Sequence, residues 1–477
     1  MIVHLTFFLY VLVFISSSIG YGVIFSKIFE KEFLKLNLGY IGIIGIFFLT
    51  FISAITSFFY PHNFYHNTIL HLVGLVSFLF FIKDVVKKDY ALCLVMISVM
   101  ILGVFIFKNH DDFPYYHLTY ALNLSENSFL IGTGAFGHGF RTPSSMFYYH
   151  SILYMPGIKY FLFHTGPFFI LYFFNIIILS NIIEKLKKKN FDFLYFLSLL
   201  SFIFINIVFY RISEHGTDRS SQILLIIIFL LFFEILYTKE KNKNFLINLF
   251  FLIIALAASI KVLYYIYFSL ALFLFLEKKI NFNYFLKQFT FLLIIFLFSS
   301  VFISKSFFST GCLAYPAEKT CFEKFEWSMP KSTVKKMSTH YEWWAKSGGG
   351  PNYKHKLSKE EYIKNFNWVQ NWYKRHFIGK ISDTLGGIFL ITLVVILLFN
   401  GPSNKKIKRK NFKIYCVIPL LFLLEWFLNH PSMRYGGYIL FALPVFILTS
   451  RYLEKKKIEY GKIYYRSIFL ILITLTI

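Results

Sequence analysis

Long apolar runs alternate with short polar segments along most of the chain. An apolar helix of about 20 residues crosses the hydrocarbon core of a bilayer, and the runs lack the two-residue alternation of barrel strands. The pattern therefore predicts an all-α fold, a polytopic bundle of about fourteen transmembrane helices. One longer apolar stretch, Phe245 to Leu276, is interrupted by Lys261, which predicts two short helices that meet there.

Clusters of lysine lie between alternate pairs of apolar runs, as in the segment Lys27 to Lys35 and the segment Lys185 to Lys189. Cytoplasmic loops of membrane proteins carry an excess of lysine and arginine. The clusters therefore place the N-terminus outside and predict a multi-pass protein of the plasma membrane. With this orientation, the polar stretch that follows the fourth apolar run lies on the outer face.

The polar segments divide the chain into five predicted regions. They are an N-terminal four-span unit (1–108), an external loop with an acidic motif (109–166), a central transmembrane bundle (167–308), an external Trp-rich subdomain (309–386, polar as far as 384) and a C-terminal bundle (387–477). Within the Trp-rich region, Ser358 and Glu361 have the spacing of a capping box, and the helix that follows is predicted to continue to Tyr373.

Composition supports membrane insertion and argues against a nucleic-acid partner. Hydrophobic residues make up 57% of the chain and charged residues 15%, a balance outside the range of soluble globular domains. The formal net charge is +25, which by itself would be compatible with nucleic-acid binding. The lysines are placed between apolar runs, however, where they report topology.

The segment Asn109 to Phe140 holds the strongest candidate for chemistry. Two adjacent carboxylates, Asp111 and Asp112, directly follow an apolar run, and Tyr116 and His117 come next. A positioned carboxylate can take a proton from an attacking hydroxyl. The glycines that follow neither come after a strand nor open a helix, so they predict a loop and not a nucleotide site.

A second set of charges lies on other loops predicted to be external. Cations there could neutralise a phosphorylated substrate, and the acidic residues could bind a divalent cation, Mg²⁺ or Mn²⁺, or hold Arg219 in place. The acidic residues are Glu214 and Asp218, and the cations are Arg219, Lys261 and Arg434. Separately, Cys312 and Cys321 share one polar loop and form a candidate disulfide if that loop lies in an oxidising compartment.

The residues from Asp111 to Leu124, DDFPYYHLTYALNL, resemble the first external loop of the GT-C superfamily of polytopic glycosyltransferases. That superfamily includes the protein O-mannosyltransferases and the lipid A aminoarabinose transferases. The break at Lys261 and the PSMRY element, Pro431 to Tyr435, resemble further parts of those enzymes. In the superfamily the acidic loop usually follows the first span, whereas here it follows the fourth. The chain also resembles an uncharacterised family of bacterial membrane proteins that share DDFxYYH.

The resemblance implies an inverting transfer of a sugar from a lipid-linked donor, a polyprenyl phosphate, to a glycan, lipid or protein acceptor. It assigns the catalytic carboxylate to Asp112, ahead of its neighbour Asp111. The implied substrate-binding residues are His117, Tyr116, Lys261, Arg219 and Arg434. The reaction would take place on the periplasmic or external face of a bacterial inner membrane, in cell-surface polysaccharide biosynthesis.

A flippase or transporter for lipid-linked glycans, or a glycan polymerase, is the main alternative. Such a protein would also be polytopic and would also carry basic residues near a lipid pyrophosphate. A transporter is expected to place charges near the bilayer midplane and to contain inverted repeats. The sequence shows no obvious repeat and concentrates its charges on one face, which favours the transferase.

Overall fold

The computed structural model describes residues 2–85, 89–105, 112–210, 216–237, 244–349, 356–403 and 412–476. Within these ranges the chain is predominantly helical and forms no strand, which confirms the predicted all-α class. The chain divides into two compact units. The first comprises Met1–Ser180 and Arg211–Lys331, and the second comprises Asn181–Tyr210 and Ser332–Ile477.

The α-helices, in chain order, are α1 (Ile2–Phe29), α2 (Leu38–Thr56), α3 (Phe64–Phe81), α4 (Tyr90–Phe105), α5 (Leu118–Glu126), α6 (Ser145–Ser151), α7 (Gly166–Lys187), α8 (Phe193–Val208), α9 (Asp218–Tyr237), α10 (Asn244–Ile260), α11 (Leu270–Leu276), α12 (Phe282–Lys287), α13 (Phe289–Thr310), α14 (Lys331–Lys346), α15 (Lys359–Ile363), α16 (Val369–Trp372), α17 (Ser382–Phe399), α18 (Phe412–Asn429), α19 (Gly437–Leu453) and α20 (Tyr460–Thr476). Two segments, Phe113–His117 and Tyr373–Ile381, have π-helical geometry.

Within the described residues, seven helical segments are long and apolar enough to cross a membrane, and they indicate a membrane protein. They are His4–Phe29, Leu38–Thr56, Phe64–Asp84, Phe163–Lys187, Asp218–Tyr237, Phe289–Thr310 and Val369–Phe399. Six shorter apolar helices have 10–17 residues, at or below the lower limit for a spanning helix. The predicted count of about fourteen crossings is therefore not confirmed.

Small residues let α1 pack closely against α2 and α3 in the first unit. A Cβ atom on Gly20 would lie 1.9 Å from the carbonyl oxygen of Gly74, and one on Gly45 would lie 1.6 Å from that of Ser18. Membrane helices commonly use such residues to bring their backbones together. The loop after α2 then reaches α5, where the His62 backbone N–H donates to the Leu124 carbonyl at 2.7 Å.

The predicted helix break at Lys261 is confirmed. Helix α10 ends at Ile260, Lys261 has an extended backbone, and a 3-10 segment, Val262–Ser269, follows. The Ser144 hydroxyl donates to the Ile260 carbonyl at 2.9 Å. This bond satisfies a carbonyl at the helix end and fixes the chain before α6 to the break.

A disulfide joins Cys312 and Cys321, the pair proposed from the sequence. The two cysteines face each other across a short hairpin, and both are buried. Backbone hydrogen bonds close this hairpin on both sides of the disulfide: Leu313 N–H donates to the Thr320 carbonyl at 3.1 Å, and Phe322 N–H donates to the Gly311 carbonyl at 2.9 Å. We call residues 311–322 the disulfide hairpin.

In the second unit, α8 packs against α17, α19 and α20. The hydroxyls of Tyr195 in α8 and Ser467 in α20 lie 2.5 Å apart. Tryptophans form a separate aromatic cluster, in which Trp368 and Trp372 both contact the ring of Phe427, at 5.1 and 5.2 Å between ring centres. These tryptophans are therefore core residues of this unit.

The capping box at Ser358 and Glu361 is present, but the helix predicted to follow it is wrong in length. Helix α15 ends at Ile363, since Lys364 has an extended backbone, and Asn365 then adopts a left-handed backbone with φ 53°. Asparagine tolerates this conformation better than most residues. The chain becomes helical again at Val369, inside the segment predicted to be polar as far as residue 384.

Candidate active site

Asp112 immediately precedes the π-helical turn Phe113–His117, which leads directly into α5. The Tyr116 hydroxyl donates to the Asp112 carboxylate at 3.1 Å. A spacing of four residues in a helical turn brings the two side chains onto one face. The sequence-predicted pair of Asp112 and Tyr116 is thus brought together, whereas Asp111 lies outside the described residues.

Two histidines extend this group. The Tyr116 ring contacts the imidazoles of His117 and His138, with ring centres 4.4 and 5.9 Å apart. His117 is buried against Phe147 at 5.7 Å, while His138 is exposed. The result is a half-buried group with a carboxylate, a phenol and two imidazoles, of which His138 forms the solvent side. We call Asp112, Tyr116, His117 and His138 the acidic site.

A third imidazole lies behind His117. His150, in α6, is completely buried. Burial lowers the pKa of His150 from 6.5 to about 3, and the neighbouring His117 and His164 act in the same direction. His150 is therefore neutral over the physiological range and belongs to the core beneath the acidic site.

Gly139 explains how Tyr116 is held. A Cβ atom at Gly139 would lie 2.1 Å from Cγ of the Tyr116 ring, so only glycine fits against that ring. Gly139 belongs to the sequence GTGAFGHG, which was predicted to be a loop. The glycine-rich turn is therefore a packing surface for the acidic site, a role that the sequence pattern did not show.

Asp218 and Lys261, both proposed as site residues from the sequence, form an ion pair with each other. Their side chains are largely buried, at 21% and 13% exposure. Asp218 begins α9 and Lys261 occupies the break after α10, so the pair joins two helix ends. The charge of Lys261, predicted to contact a substrate phosphate, is therefore already compensated by a carboxylate.

The structure does not assemble a metal site from the described residues, where no group of three His, Cys, Asp or Glu side chains could hold an ion. Asp218, one of the two proposed ligands, has Lys261 as its partner. The other, Glu214, lies outside the described ranges. Arg219 is the second residue of α9 and is half-buried.

Arg434 belongs to the second unit. Its segment is held firmly: the Trp372 indole donates to the Pro431 carbonyl at 2.6 Å, and the Trp426 indole donates to the Ser432 carbonyl at 3.0 Å. A Cβ atom on Gly349 would lie 3.8 Å from Cδ of Arg434. Arg434 thus lies beside a glycine turn that follows α14.

Sequence reasoning missed Lys305, which is fully buried inside the candidate span α13. Its ammonium donates to the Ser57 hydroxyl at 2.8 Å and lies 3.2 Å and 3.9 Å from the ring centres of Phe58 and Phe129. Cation–π contacts and one hydrogen bond thus replace the water that a lysine normally has around it. The sequence feature that could have identified Lys305 is a single lysine within an apolar run.

A family profile described as "Domain of unknown function (DUF8201)" matches residues 1–441 of the chain. No curated protein and no solved structure matches it.

Proposed function

The chain belongs to the DUF8201 family, and from its own residues we propose that it is a membrane glycosyltransferase. It takes a sugar from a polyprenyl-phosphate donor and transfers it to a glycan, lipid or protein acceptor at the outer face of a bacterial plasma membrane. The observation that carries this proposal is the Asp112 carboxylate, held by Tyr116 at the start of α5 in a protein with long apolar helices.

In the proposed reaction, Asp112 accepts the proton of the acceptor hydroxyl as that oxygen attacks the anomeric carbon of the sugar. The bond between this carbon and the phosphate oxygen breaks, and the lipid phosphate leaves with the electron pair. A single displacement of this kind inverts the anomeric centre. Tyr116 orients Asp112 through its hydrogen bond, and His117 and His138 contact the Tyr116 ring.

The three cations proposed from the sequence differ in how well they could bind the donor phosphate. Lys261 is paired with Asp218 and positions the helix break, so it is a poor candidate for the phosphate. Arg219 and Arg434 stay proposed donor-binding residues. A divalent cation at Asp218 and Glu214 would have to compete with Lys261 for the Asp218 carboxylate, so we derive no step through a metal ion.

The proposal also retains the sequence-based topology. About fourteen crossings, with the N-terminus and the acidic site outside, follow from the length of the apolar runs and the placement of the lysine clusters. Added to the seven long segments, the six shorter apolar helices of the described residues would give thirteen crossings, close to the predicted number. Cysteine-accessibility labelling from either side of the membrane tests the orientation.

Replacing Asp112 by Asn tests the catalytic assignment. Purified full-length protein, supplied with a radiolabelled polyprenyl-phosphate hexose and membrane extract as acceptor, is expected to lose transfer by about 10²–10⁴-fold in Asp112→Asn. The exposed Glu126, at the end of α5, gives the matched control Glu126→Gln, which is expected to keep transfer. Transfer at the wild-type rate by folded Asp112→Asn would remove Asp112 from the mechanism.

Lys305 favours the second candidate function, a flippase or transporter for lipid-linked glycans or a glycan polymerase. A charged residue inside a membrane helix commonly marks a translocation pathway. Here the pairing with Ser57 and two aromatic rings gives Lys305 a structural explanation. Movement of labelled donor across proteoliposomes that depends on Lys305 and not on Asp112 would support the transporter.

A further inference from the structure

The glycine-rich turn, residues 132–141, is fixed to the end of α13. The Gly132 backbone N–H donates to the Phe308 carbonyl at 2.8 Å, and the Thr133 hydroxyl donates to the Ser309 hydroxyl at 3.1 Å. The turn therefore has a defined position in the first unit, and the side chain at its end, Arg141, starts from a fixed backbone.

The Arg141 side chain is itself oriented. Its Nε donates to the Gly134 carbonyl at 3.0 Å, and the guanidinium lies beside the Tyr315 hydroxyl of the disulfide hairpin. Burial raises the pKa of Tyr315, while Arg141 acts in the opposite direction. Within the described ranges no carboxylate pairs with Arg141. Of the five N–H donors of the guanidinium, one bonds Gly134 and one faces Tyr315, which leaves three without a partner among the described residues.

The turn also connects Arg141 to the acidic site. Gly139, two residues earlier, packs on the Tyr116 ring, and Tyr116 holds Asp112. At Gly137 an added Cβ would meet nothing within 4 Å, so this side of the turn is open. Arg141 is half-buried. Arg141 and the residues that contact the acidic site therefore belong to one short turn, which has open space at Gly137.

From this geometry we propose that Arg141 binds a phosphate group of the substrate. A guanidinium fork matches the oxygens of a phosphate through two parallel hydrogen bonds, and its planar shape gives the direction that a lysine lacks. Lys261 is ion-paired with Asp218, whereas no carboxylate of the described residues pairs with Arg141. The claim that this phosphate belongs to the lipid donor rests on the proposed function. The claim that Arg141 binds a phosphate group does not depend on the proposed function.

Thermal unfolding of the full-length protein in nanodiscs tests this proposal. The probes are inorganic phosphate, inorganic pyrophosphate and, separately, a polyprenyl phosphate included in the disc lipid. The unfolding midpoint of the wild-type protein is expected to rise with each probe, because a ligand that binds only the folded state stabilises it. Arg141→Gln is expected to lose the rise, and Arg141→Lys to need about tenfold more phosphate, equivalent to about 1.4 kcal/mol.

The control is Lys319→Gln, which removes one exposed charge from the disulfide hairpin and is expected to respond as the wild type does. A wild-type response in Arg141→Gln overturns the proposal, and so does an equal loss in Lys319→Gln, which would indicate nonspecific attraction. If Arg141→Gln fails to fold, Arg141→Lys decides, because an unchanged response there excludes recognition by the guanidinium fork.

The measurement with polyprenyl phosphate in the disc lipid distinguishes a lipid phosphate from a soluble phosphate as the ligand. A rise with the soluble probes alone would identify a soluble phosphorylated compound as the ligand, and a rise with the polyprenyl phosphate would identify the lipid. Asp112→Asn is expected to keep the phosphate response. If that variant also keeps transfer, the proposed function fails while Arg141 remains a phosphate-binding residue.

Discussion

Asp112 and Asp218 both lie at the start of helical segments in the first unit, but different groups surround them. Asp218 is ion-paired with Lys261, and both side chains are largely buried. Asp112 accepts a hydrogen bond from a neutral phenol, that of Tyr116, and is half-buried beside two imidazoles. The first arrangement compensates a charge and joins two helix ends, whereas the second presents a carboxylate next to groups that can exchange protons.

The difference shows that two carboxylates on loops predicted to share one face need not share one role. Removing water from a charge is costly, so a buried carboxylate is stable only with a partner. Lys261 supplies that partner where the backbone of α10 is interrupted. We therefore assign a structural role to the pair of Asp218 and Lys261 and a chemical role to the acidic site.

The largest effect is expected from Lys261→Met. This change leaves Asp218 buried without its cation, and breaking a buried pair by removing one partner costs about 3–5 kcal/mol. The free energy of unfolding, measured by chemical denaturation in detergent, should fall by that amount.

The double variant Asp218→Asn with Lys261→Met is the matched control and should recover most of the loss, because no uncompensated charge remains. Asp112→Asn should change stability far less than Lys261→Met. An equal loss of stability in Asp112→Asn and Lys261→Met would contradict the division between a structural pair and a chemical site.

Acid should destabilise the core beneath the acidic site. In the folded protein the pKa of His150 is about 3, against an ordinary value of 6.5. Between these values the unfolded chain binds the proton and the folded chain does not, so stability is complete above pH 6.5 and falls as the pH decreases. One unit of pKa is about 1.4 kcal/mol, which gives a loss of about 2–3 kcal/mol at pH 4.5.

Unfolding measured from pH 7.5 to pH 4.5 checks this, with the exposed His138→Gln as the control that should keep the same pH dependence. His150→Gln removes one titrating group and should reduce the loss at pH 4.5 by about 2–3 kcal/mol. The profile should not become flat, because His62 is also buried and burial lowers its pKa as well. A profile unchanged by His150→Gln would show that other groups set the acid sensitivity.

Much of the fold could be predicted because bilayer thickness and helix geometry fix the length of an apolar run. The helical class, the break at Lys261 and the capping box at Ser358 all follow from local patterns. The helix predicted to run from Ser358 to Tyr373 is wrong in length. Asn365 has a left-handed backbone, and an apolar stripe does not report the backbone conformation of the residues between its members.

The sequence indicated which residues belong to the candidate sites, but not which of these residues contact each other. The sequence placed Asp112, Tyr116 and Lys261 among the candidates, since Asp112 and Tyr116 directly follow an apolar run and Lys261 interrupts one. It could not show that Lys261 contacts Asp218, 43 positions earlier, because such a pairing depends on how α9 and α10 pack. The sequence could not show that Lys305 bonds Ser57 and lies over the rings of Phe58 and Phe129, because these partners are distant in the chain.

Gly139→Ala tests whether the acidic site depends on the glycine-rich turn. The added Cβ would overlap the Tyr116 ring, and overpacking of this kind typically costs about 1–3 kcal/mol. Transfer should fall as well, because Tyr116 can no longer hold Asp112. Gly387→Ala, in α17, is the control, since its Cβ would meet nothing within 4 Å. Wild-type transfer by Gly139→Ala would show that the position of Tyr116 does not matter to the reaction.

The smallest change, Tyr116→Phe, isolates the hydrogen bond itself. The ring and its packing on Gly139 remain, so stability should decrease by only about 0.5–1.5 kcal/mol, the net value of one hydrogen bond. If the phenol orients Asp112 for proton transfer, the transfer rate should decrease by more than this loss of stability explains, with the pH–rate profile shifted.

The neighbouring Tyr115, which is 72% exposed, supplies the control Tyr115→Phe. A decrease in stability with no change in rate or pH profile would make Tyr116 a structural partner of Asp112, as Lys261 is of Asp218, and the contrast between the two carboxylates would then have to rest on Asp112 alone.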